Sequence, residues 1–358
     1  QAVSQRLLKN AAVKAYPDVV TFAFWCRKAS LQQMRKAYDL HEMRLGRGVV
    51  FHIAPSNVAV KVGYSFVTAL LAGNASIVRV PSKNFIQVDL ICKAIREELQ
   101  ENFSGLQKFI CMARYGHEPE INTYFSSFCD TRVIWGGDQT IREIRKSPLK
   151  PRANEITFAD RFSLAMIQSE AYLAAEDKER IAQDFYNDTY LTDQNACTSP
   201  RLVIWLGNTV REAQAAFWKQ LYEIVKDKYS LSDVCAVDKL TRLFLLGEHY
   251  DAEQSPMPDN RIVRVQLNSL DKYLMDFKGN SGFFLEYISD DLESLLTISS
   301  ERCQTLSYYG IDKSKVVKML LERGVHGIDR IVPIGRSMDF SLQWDGHDLI
   351  RELSRLIK

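Results

Sequence analysis

Short runs of branched and aromatic residues recur along this chain, and the intervals between them carry helical patterns. Residues 49–53, 77–80, 109–113 and 132–135 read as strands; helices fit at about 57–72, 84–100 and 117–127, then after Asp138. That alternation predicts a parallel sheet with helices on both faces. A sheet of this kind binds ligands at the carboxyl ends of its strands, where helix N-termini offer backbone N–H groups to phosphates. The first half of the chain is therefore a nucleotide-binding candidate. Ahead of it, 18–38 carries an amphipathic helical mixture behind Pro17, expected to cap this first lobe. A second series begins near Ser163, with a strand at 164–168, one helix at about 169–188, a polar segment at 192–200, a strand at 202–206 and a helix at about 209–228. Later strands are expected at 262–267, 283–287 and 304–308, with a helix at 313–323. The polar, turn-rich stretch 247–259 reads as a surface loop.

At 358 residues the chain is long enough for two lobes, so the fold class is α/β with two Rossmann-like lobes and a cleft between them. The expected boundaries are 1–166 for the N-terminal helices and the dinucleotide-binding lobe, 167–325 for a catalytic lobe, and 326–358 for a segment packing back near the active site. Hydrophobic residues make up 46% and charged residues 25%, which excludes a disordered or fibrous chain. Forty-six basic against 44 acidic residues leave a net charge of +2, well interspersed, so neither nucleic acid nor an anionic membrane is an expected partner. No apolar run approaches the length that spans a bilayer, and the expected location is the cytoplasm. Seven cysteines without a CxxC pair and six scattered histidines point to reduced thiols and no metal.

Cys197 stands out among the thiols. It sits in the run DQNACTSPRLVIW, behind Asp193, Gln194 and Asn195 and ahead of Thr198, Ser199 and an apolar strand. That setting suits an accessible thiol, although cysteine in general is among the most buried residue types. A second segment, 52–84, runs HIAPSNVAVKVGYSFVTALLAGNASIVRVPSKN. It resembles the aldehyde dehydrogenase superfamily, where the corresponding stretch has P-W-N-F-P, a helix, A-A-G-N and V-V-x-K-P-S-E. Trp135, Gly136, Gly137 and Asp138 stand where that superfamily has F-T-G-S, and 195–199 where it has G-Q-x-C-x-A/S. Within the superfamily the chain is most similar to the LuxC-type fatty acyl-CoA reductases of bacterial luminescence and their non-luminous relatives. Tyr16-Pro17-Asp18, the run 24–29 (FWCRKA), the run 78–83 (VRVPSK) and the run 327–336 (GIDRIVPIGR) carry that likeness.

The resemblance implies a Cys197 thiolate that attacks an acyl thioester, in acyl-CoA or on an acyl-protein, and holds the acyl group on sulfur until it leaves as aldehyde. It implies that Asn57 donates to the oxyanion together with the backbone N–H of residue 197. From the residues alone, Asn57 also reads as a turn residue capping the next helix. The general-base Glu of the superfamily's E-L-G-G motif has no counterpart at 158–161 (FADR), which favours thiol exchange and reduction over hydrolysis; Glu155, three residues earlier, is the alternative base. The E-x-F-G contact to the nicotinamide ribose is replaced near Lys278-Gly279-Asn280. Ser82-Lys83 stands where NAD-preferring relatives have Ser-Glu, so the expected cofactor is NADPH, with Lys83 on the 2′-phosphate and Arg79 beside it. Gly137 and Asp138 are expected to open the helix beneath the pyrophosphate. By the same likeness a homo-oligomer and a LuxE-like acyl-protein synthetase are implied as partners. Two other readings stay open: an aldehyde dehydrogenase acting on free aldehyde, and a catalytically inactive scaffold for acyl transfer.

Overall fold

The computed structural model describes residues 1–38, 42–54, 60–116 and 118–357. The chain divides into two compact units, one formed by 1–160 with 340–358 and the other by 161–339. The boundaries expected from sequence stood at 166/167 and 325/326.

The first unit opens with helices α1 (Ala2–Lys9), α2 (Pro17–Trp25) and α3 (Lys28–Arg35), followed by strand β1 (Arg44–Gly46). Its sheet is built from β2 (Val49–Ile53), β3 (Ala75–Val80), β4 (Ile110–Arg114), β5 (Thr131–Trp135) and β6 (Asn154–Phe158), in the order β4-β3-β2-β5-β6 and parallel throughout. Helices α4 (Lys61–Leu71), α5 (Ile86–Glu101), α6 (Pro119–Phe128) and α7 (Asp138–Arg145) join the strands. Apolar side chains cover both sheet faces. Val62 and Phe66 of α4 and Val88 and Ile91 of α5 share one cluster with Val19 and Phe22 of α2, so the 18–38 region does cap this sheet. Ile141 and Ile144 of α7 sit in the cluster on the other face. The chain thus runs outward from β2 to β4 and then returns to the far side of β2. The order reverses between β2 and β5, whose following helices lie on opposite faces. A crevice opens at the carboxyl ends of such a strand pair, and this is where doubly wound sheets hold ligands.

The second unit has seven strands: β7 (Phe162–Gln168), β8 (Pro200–Leu206), β9 (Ala252–Ser255), β10 (Val263–Leu267), β11 (Phe283–Ser289), β12 (Cys303–Tyr309) and β13 (Arg330–Pro333), in the order β13-β12-β7-β8-β11-β10-β9. All neighbours are parallel except β9, which pairs antiparallel at the edge. Helices α8 (Ser169–Leu173), α9 (Lys178–Thr189) and α10 (Val210–Lys228) cover one face through Tyr172, Phe185, Phe217 and Trp218. Helices α11 (Asp233–His249), α12 (Ser294–Ile298) and α13 (Lys313–Arg323) cover the other through Leu246, Leu295 and Val316. The fully buried Glu286 carboxylate accepts from Trp205 Nε1 at 2.8 Å, Trp218 Nε1 at 2.7 Å, Gln214 Nε2 at 3.0 Å and Arg264 Nε at 2.7 Å. Four donors offset the cost of burying the charge, so it joins β8, β10, β11 and α10 instead of disrupting them.

The C-terminal stretch holds the hairpin β14 (Gln343–Trp344) and β15 (His347–Asp348), helix α14 (Leu349–Glu352) and β16 (Ser354–Leu356), which pairs with β1. Phe340, Trp344, Leu349 and Leu353 enter the first unit's core.

Two sequence expectations need correction. The stretch 247–259 is not a loop, because α11 runs into it as far as His249 and β9 forms within it. Its polar residues suit an edge strand, whose backbone pairs on one side and whose side chains meet water. The single helix at 169–188 is two helices, α8 and α9, with Asp177 capping the second through its side chain to the Arg180 N–H at 2.9 Å. Among the described residues no helix is long and apolar enough to cross a membrane.

Candidate active site

Cys197 lies in the turn that enters β8 at its amino end. The thiol is half-buried between the buried neighbours Ala196 and Thr198. Burial pushes the thiols of Cys26 and Cys303 up to about 12 and that of Cys129 up to about 11, which keeps them protonated at neutral pH. Cys92 is also raised by burial to about 11, while Cys111 is exposed. No disulfide joins any of the seven.

The turn has an unusual backbone. Asp193 and Gln194 adopt left-handed φ of 51° and 55°, and Ser281, whose N–H donates to the Asp193 carbonyl at 3.0 Å, has φ of 58°. Such positions are costly for residues with a side chain and persist where surrounding bonds over-determine them. Here those bonds are present. The Gln194 amide is wholly buried: its Oε1 accepts from the N–H groups of Gly282 at 2.7 Å and Phe283 at 3.0 Å, and its Nε2 donates to the carbonyls of Pro200 at 3.0 Å and Phe283 at 3.3 Å. Gly282 has φ of 86°, and a Cβ on it would stand 2.1 Å from the Arg261 carbonyl oxygen, so only glycine lets this backbone approach.

Arg201, the first charged residue after the turn, folds back beneath it. Its buried guanidinium donates to the carbonyls of Ala196 and Ser199, each at 3.3 Å, to the Gln194 carbonyl, and to Asn280 Oδ1 at 3.1 Å. Asn280 Nδ2 in turn donates to Asn195 Oδ1 at 2.8 Å. The Cys197 carbonyl accepts from Ser163 Oγ at 2.7 Å, and that hydroxyl accepts from the Thr305 N–H at 3.2 Å. Thr198 Oγ1 donates to the sulfur of Met338 at 3.2 Å. The loop carrying Met338 is held by Asp188, whose carboxylate accepts from the N–H groups of Gly335 at 2.6 Å and Ser337 at 3.1 Å. Asn280 therefore lies against the Cys197 turn, in the stretch that the sequence shows replacing the superfamily's ribose contact. Gln194 and Arg201 stand in the run around Cys197 without any local sign of their roles, and Ser163 and Asp188 belong to no motif; Arg201 and Asn280 stand 79 residues apart.

The other expected site residues belong to the first unit. Asn57 lies outside the described residues. Gly136, Gly137 and Asp138 follow β5 at the crevice beside β2, and Gly137 is the N-cap of α7 with no side chain capping it. Gly137 and Asp138 are exposed. Trp135 is buried, stacks on Phe158 at 3.7 Å with 16° between ring planes, and donates from Nε1 to Ser65 Oγ at 3.2 Å. The Lys61 ammonium lies 4.6 Å from the Trp135 ring centre and 4.9 Å from that of Trp344. Ser65 Oγ also meets His52 Nδ1 at 2.8 Å, and burial drives that imidazole down to about 3, leaving it neutral. Ser82 and Lys83 are exposed just past the carboxyl end of β3. The Arg79 guanidinium is already engaged: it donates to the Gly116 carbonyl and lies 4.8 Å from the Tyr115 ring centre.

Phe158 ends β6, and its ring is packed against Trp135. Glu155, on the same strand, accepts from Arg132 Nε at 2.8 Å on one oxygen and from Arg145 Nε at 2.7 Å on the other. Those pairs hold the buried Arg132, so the carboxylate is bound into the sheet rather than turned toward a water. Among the described residues no group of three or more His, Cys, Asp or Glu could hold a metal ion.

Solved structures share this fold over almost the whole chain. A NAD-dependent benzaldehyde dehydrogenase from Corynebacterium glutamicum superposes with a TM-score of 0.63 at 13% identity, covering 99% of this chain and 80% of that one. A NAD-dependent aldehyde dehydrogenase from Sinorhizobium meliloti gives 0.68 at 11% identity, over 96% and 74%. Proline utilization A from Bradyrhizobium japonicum gives 0.67 at 14% identity, over 99% of this chain but 40% of its own. No curated protein sequence matches. The family model described as acyl-CoA reductase (LuxC) matches residues 14–228, a span that includes β2 through β8 and the Cys197 turn, and the chain belongs to that family.

Proposed function

We propose that this protein reduces an acyl thioester to the aldehyde through an acyl group carried on Cys197. The observation that carries this reading is the Cys197 turn, in which a half-buried thiol sits on a left-handed backbone that buried hydrogen bonds hold in place. In the proposed reaction the thiolate sulfur attacks the thioester carbonyl, the C–S bond to the donor thiol breaks, and that thiol departs with a proton. The Ser163 bond to its carbonyl and the Arg201 bonds on either side fix the direction of attack, the kind of positioning that lowers a barrier before any chemistry begins. Asn57 and the Cys197 N–H are the proposed oxyanion donors. With Phe158 in place of a carboxylate and Glu155 held by two arginines, no group in β6 prepares a water for hydrolysis. The acyl group is therefore kept for reduction.

The residues at the carboxyl edge of the first unit fit an anionic dinucleotide. The uncapped start of α7 at Gly137 offers N–H groups, a Cβ at Gly137 would meet nothing within 4 Å, and Ser82 and Lys83 present exposed donors near the end of β3. Bound there, a reduced nicotinamide cofactor would supply the hydride. Lys83 favours NADPH over NADH through the 2′-phosphate, with Ser82 beside it; Arg79 supports this edge through Gly116 and Tyr115. The benzaldehyde and S. meliloti enzymes are NAD-dependent, which supports a nicotinamide cofactor for this chain. An acyl-protein synthetase similar to LuxE is a proposed source of acyl groups.

Purified protein given NADPH and acyl-CoA is expected to release aldehyde, and Cys197→Ala to release none. Intact mass after acyl-CoA alone should show one acyl adduct that the variant lacks. Unchanged aldehyde formation by Cys197→Ala would overturn the proposal, and an unlabelled wild-type chain would point to an inactive scaffold. Acid formed from free aldehyde in place of reduction would point to an aldehyde dehydrogenase.

A further inference from the structure

Lysine is seldom buried without a carboxylate partner, because its ammonium gives up water that the protein must replace. Lys239 of α11 is buried, and among the described residues it forms no ion pair. Its Nζ donates to the carbonyls of Asn260, at 2.5 Å, and Arg261, at 3.3 Å. An ammonium carries three N–H bonds, so one position on the nitrogen is left unmatched. The acidic groups that act on it are Cys235, one turn earlier on α11, and Asp259. Both are engaged elsewhere: the Asp259 carboxylate accepts from the Tyr222 hydroxyl at 2.8 Å, the Arg261 N–H at 2.8 Å and the Arg261 guanidinium, and Cys235 Sγ accepts from Ser232 Oγ at 3.2 Å. Desolvation therefore prevails and brings the Lys239 ammonium down to about 8. At neutral pH it then holds on the order of a hundred times more free amine than an ordinary lysine.

A cavity of about 230 Å³ lies between α11 and strands β9 and β10, and Lys239 lines it together with Ala236, Val237, Leu240, Leu243 and Val263. Its size is below the ~300 Å³ at which pockets for drug-sized molecules begin, which suits a short chain. A desolvated amine beside apolar walls is the setting in which lysine becomes a nucleophile toward a carbonyl carbon. We infer that Lys239 is a reversible covalent site for a short aliphatic aldehyde whose alkyl chain occupies this cavity. The free amine adds to the aldehyde carbon, forming an N–C bond and a carbinolamine. The carbinolamine hydroxyl then takes a proton from solvent and leaves as water, and the nitrogen lone pair closes the C=N bond. The resulting iminium keeps one N–H, which still donates to a backbone carbonyl, and its charge stands where that of the ammonium stood. A carboxylate bound at the same nitrogen would face the carbonyl oxygens of Asn260 and Arg261, whereas a neutral aldehyde needs only the lone pair. Aldehyde is also the product proposed for the Cys197 reaction, but this site takes it whatever its source.

The full chain is to be incubated at neutral pH with hexanal and sodium cyanoborohydride, which fixes an iminium as a secondary amine, and the adducts mapped by peptide mass spectrometry. Lys239 should acquire its hexyl group at least about tenfold faster than any exposed lysine; the gain falls short of that in free amine because a less basic nitrogen is also less nucleophilic. Glyceraldehyde, too polar for these walls, should label exposed lysines without that preference. Lys239→Met should lose the fast adduct. Ala236→Trp, which fills the cavity and leaves Lys239 in place, should slow it with circular dichroism unchanged. Cys197→Ala should label at Lys239 as the wild type does, so this result and the acyl chemistry proposed above stand or fall separately. A Lys239 that stays unlabelled while exposed lysines react, a rate that Ala236→Trp leaves unmoved, or equal preference with the two aldehydes would each overturn the inference.

Discussion

The Cys197 turn and the carboxyl edge of the first unit's sheet are both candidate site regions, yet they are built in contrary ways. Around Cys197, the side chains of Gln194, Arg201, Ser163 and Asn280 are all spent on holding backbone or one another, and most are buried. At the edge beyond β3 and β5, Ser82, Lys83, Gly137 and Asp138 face solvent, and no side chain caps α7. The difference follows from what each region is proposed to do. A nucleophile must meet its carbonyl along a narrow range of angles, so its backbone is fixed in advance. A soluble, exchangeable anion is better met by an open edge of N–H groups and a mobile ammonium, which need only charge and access.

The contrast breaks most severely at Arg201. Arg201→Ala leaves the carbonyls of Gln194, Ala196 and Ser199 without its donors, and an unsatisfied buried group costs ~1–3 kcal/mol. We expect chemical denaturation to show a loss of about 3 kcal/mol or more, and kcat to fall by roughly a hundredfold, the scale on which a small misplacement of a reacting group acts. Alkylation of the Cys197 thiol by iodoacetamide separates the two effects: a turn that has lost its shape should also change its alkylation rate and pH profile, and Arg201→Lys should recover part of both. Full activity in Arg201→Ala would show that the turn holds itself.

How much of this could be read beforehand divides along the same line. Strands β2 to β5 and β7, β8, β10, β11 and β12 were legible because a buried parallel strand is a short run of branched and aromatic residues, and that pattern is local. Cys197 could be singled out as a candidate because the run around it is contiguous. Strand β6 was missed: NEITF mixes polar and apolar residues, and its place is set by pairing with β5. Helix α11 was missed because its outward apolar residues blur the inward stripe that marks a surface helix. The bonds that shape the turn were hidden for another reason. Gln194 reaches Phe283 across 89 residues, and Ser163 reaches the Thr305 N–H across 142. Neither the spacing nor the residue type announces such a bond, since Gln, Ser and Arg are common everywhere.

A smaller effect sharpens the anchored side. Asp188 is almost wholly buried, and desolvation raises its carboxyl to about 7 despite the N–H groups of Gly335 and Ser337. Gly335 has φ of 90°, and a Cβ there would meet the Asp184 side chain at 2.7 Å, so the loop has little room to move away. The unfolded chain releases this proton near the ordinary carboxylate value of 3.8, while the folded chain keeps it until about 7. Between those values the folded state binds the extra proton, so stability falls as pH rises and levels off above the folded value. At ~1.4 kcal/mol per pH unit the full span is at most roughly 4 kcal/mol. Denaturation midpoints taken from about pH 5 to about pH 8 should decline for the wild type, and Asp188→Asn should flatten that decline. An unchanged slope in the variant would place the titration elsewhere.

The smallest expected effect tests the open edge. Lys83→Glu puts a negative charge where a 2′-phosphate would bind and gives the 2′-hydroxyl of NADH an acceptor. Because Lys83 is exposed, and its ammonium lies only 5.4 Å from the Phe85 ring centre, the substitution should leave stability within about 0.5 kcal/mol, as surface changes usually do. The KM for NADPH should rise by about tenfold, the size of one charge-assisted contact in water, with kcat unmoved. Added salt should narrow the gap between the wild type and the variant, because an exposed charge is screened. A large loss of stability would mean that this edge is tethered like the Cys197 turn after all, and an unaltered preference for NADPH over NADH would move the phosphate contact off Lys83.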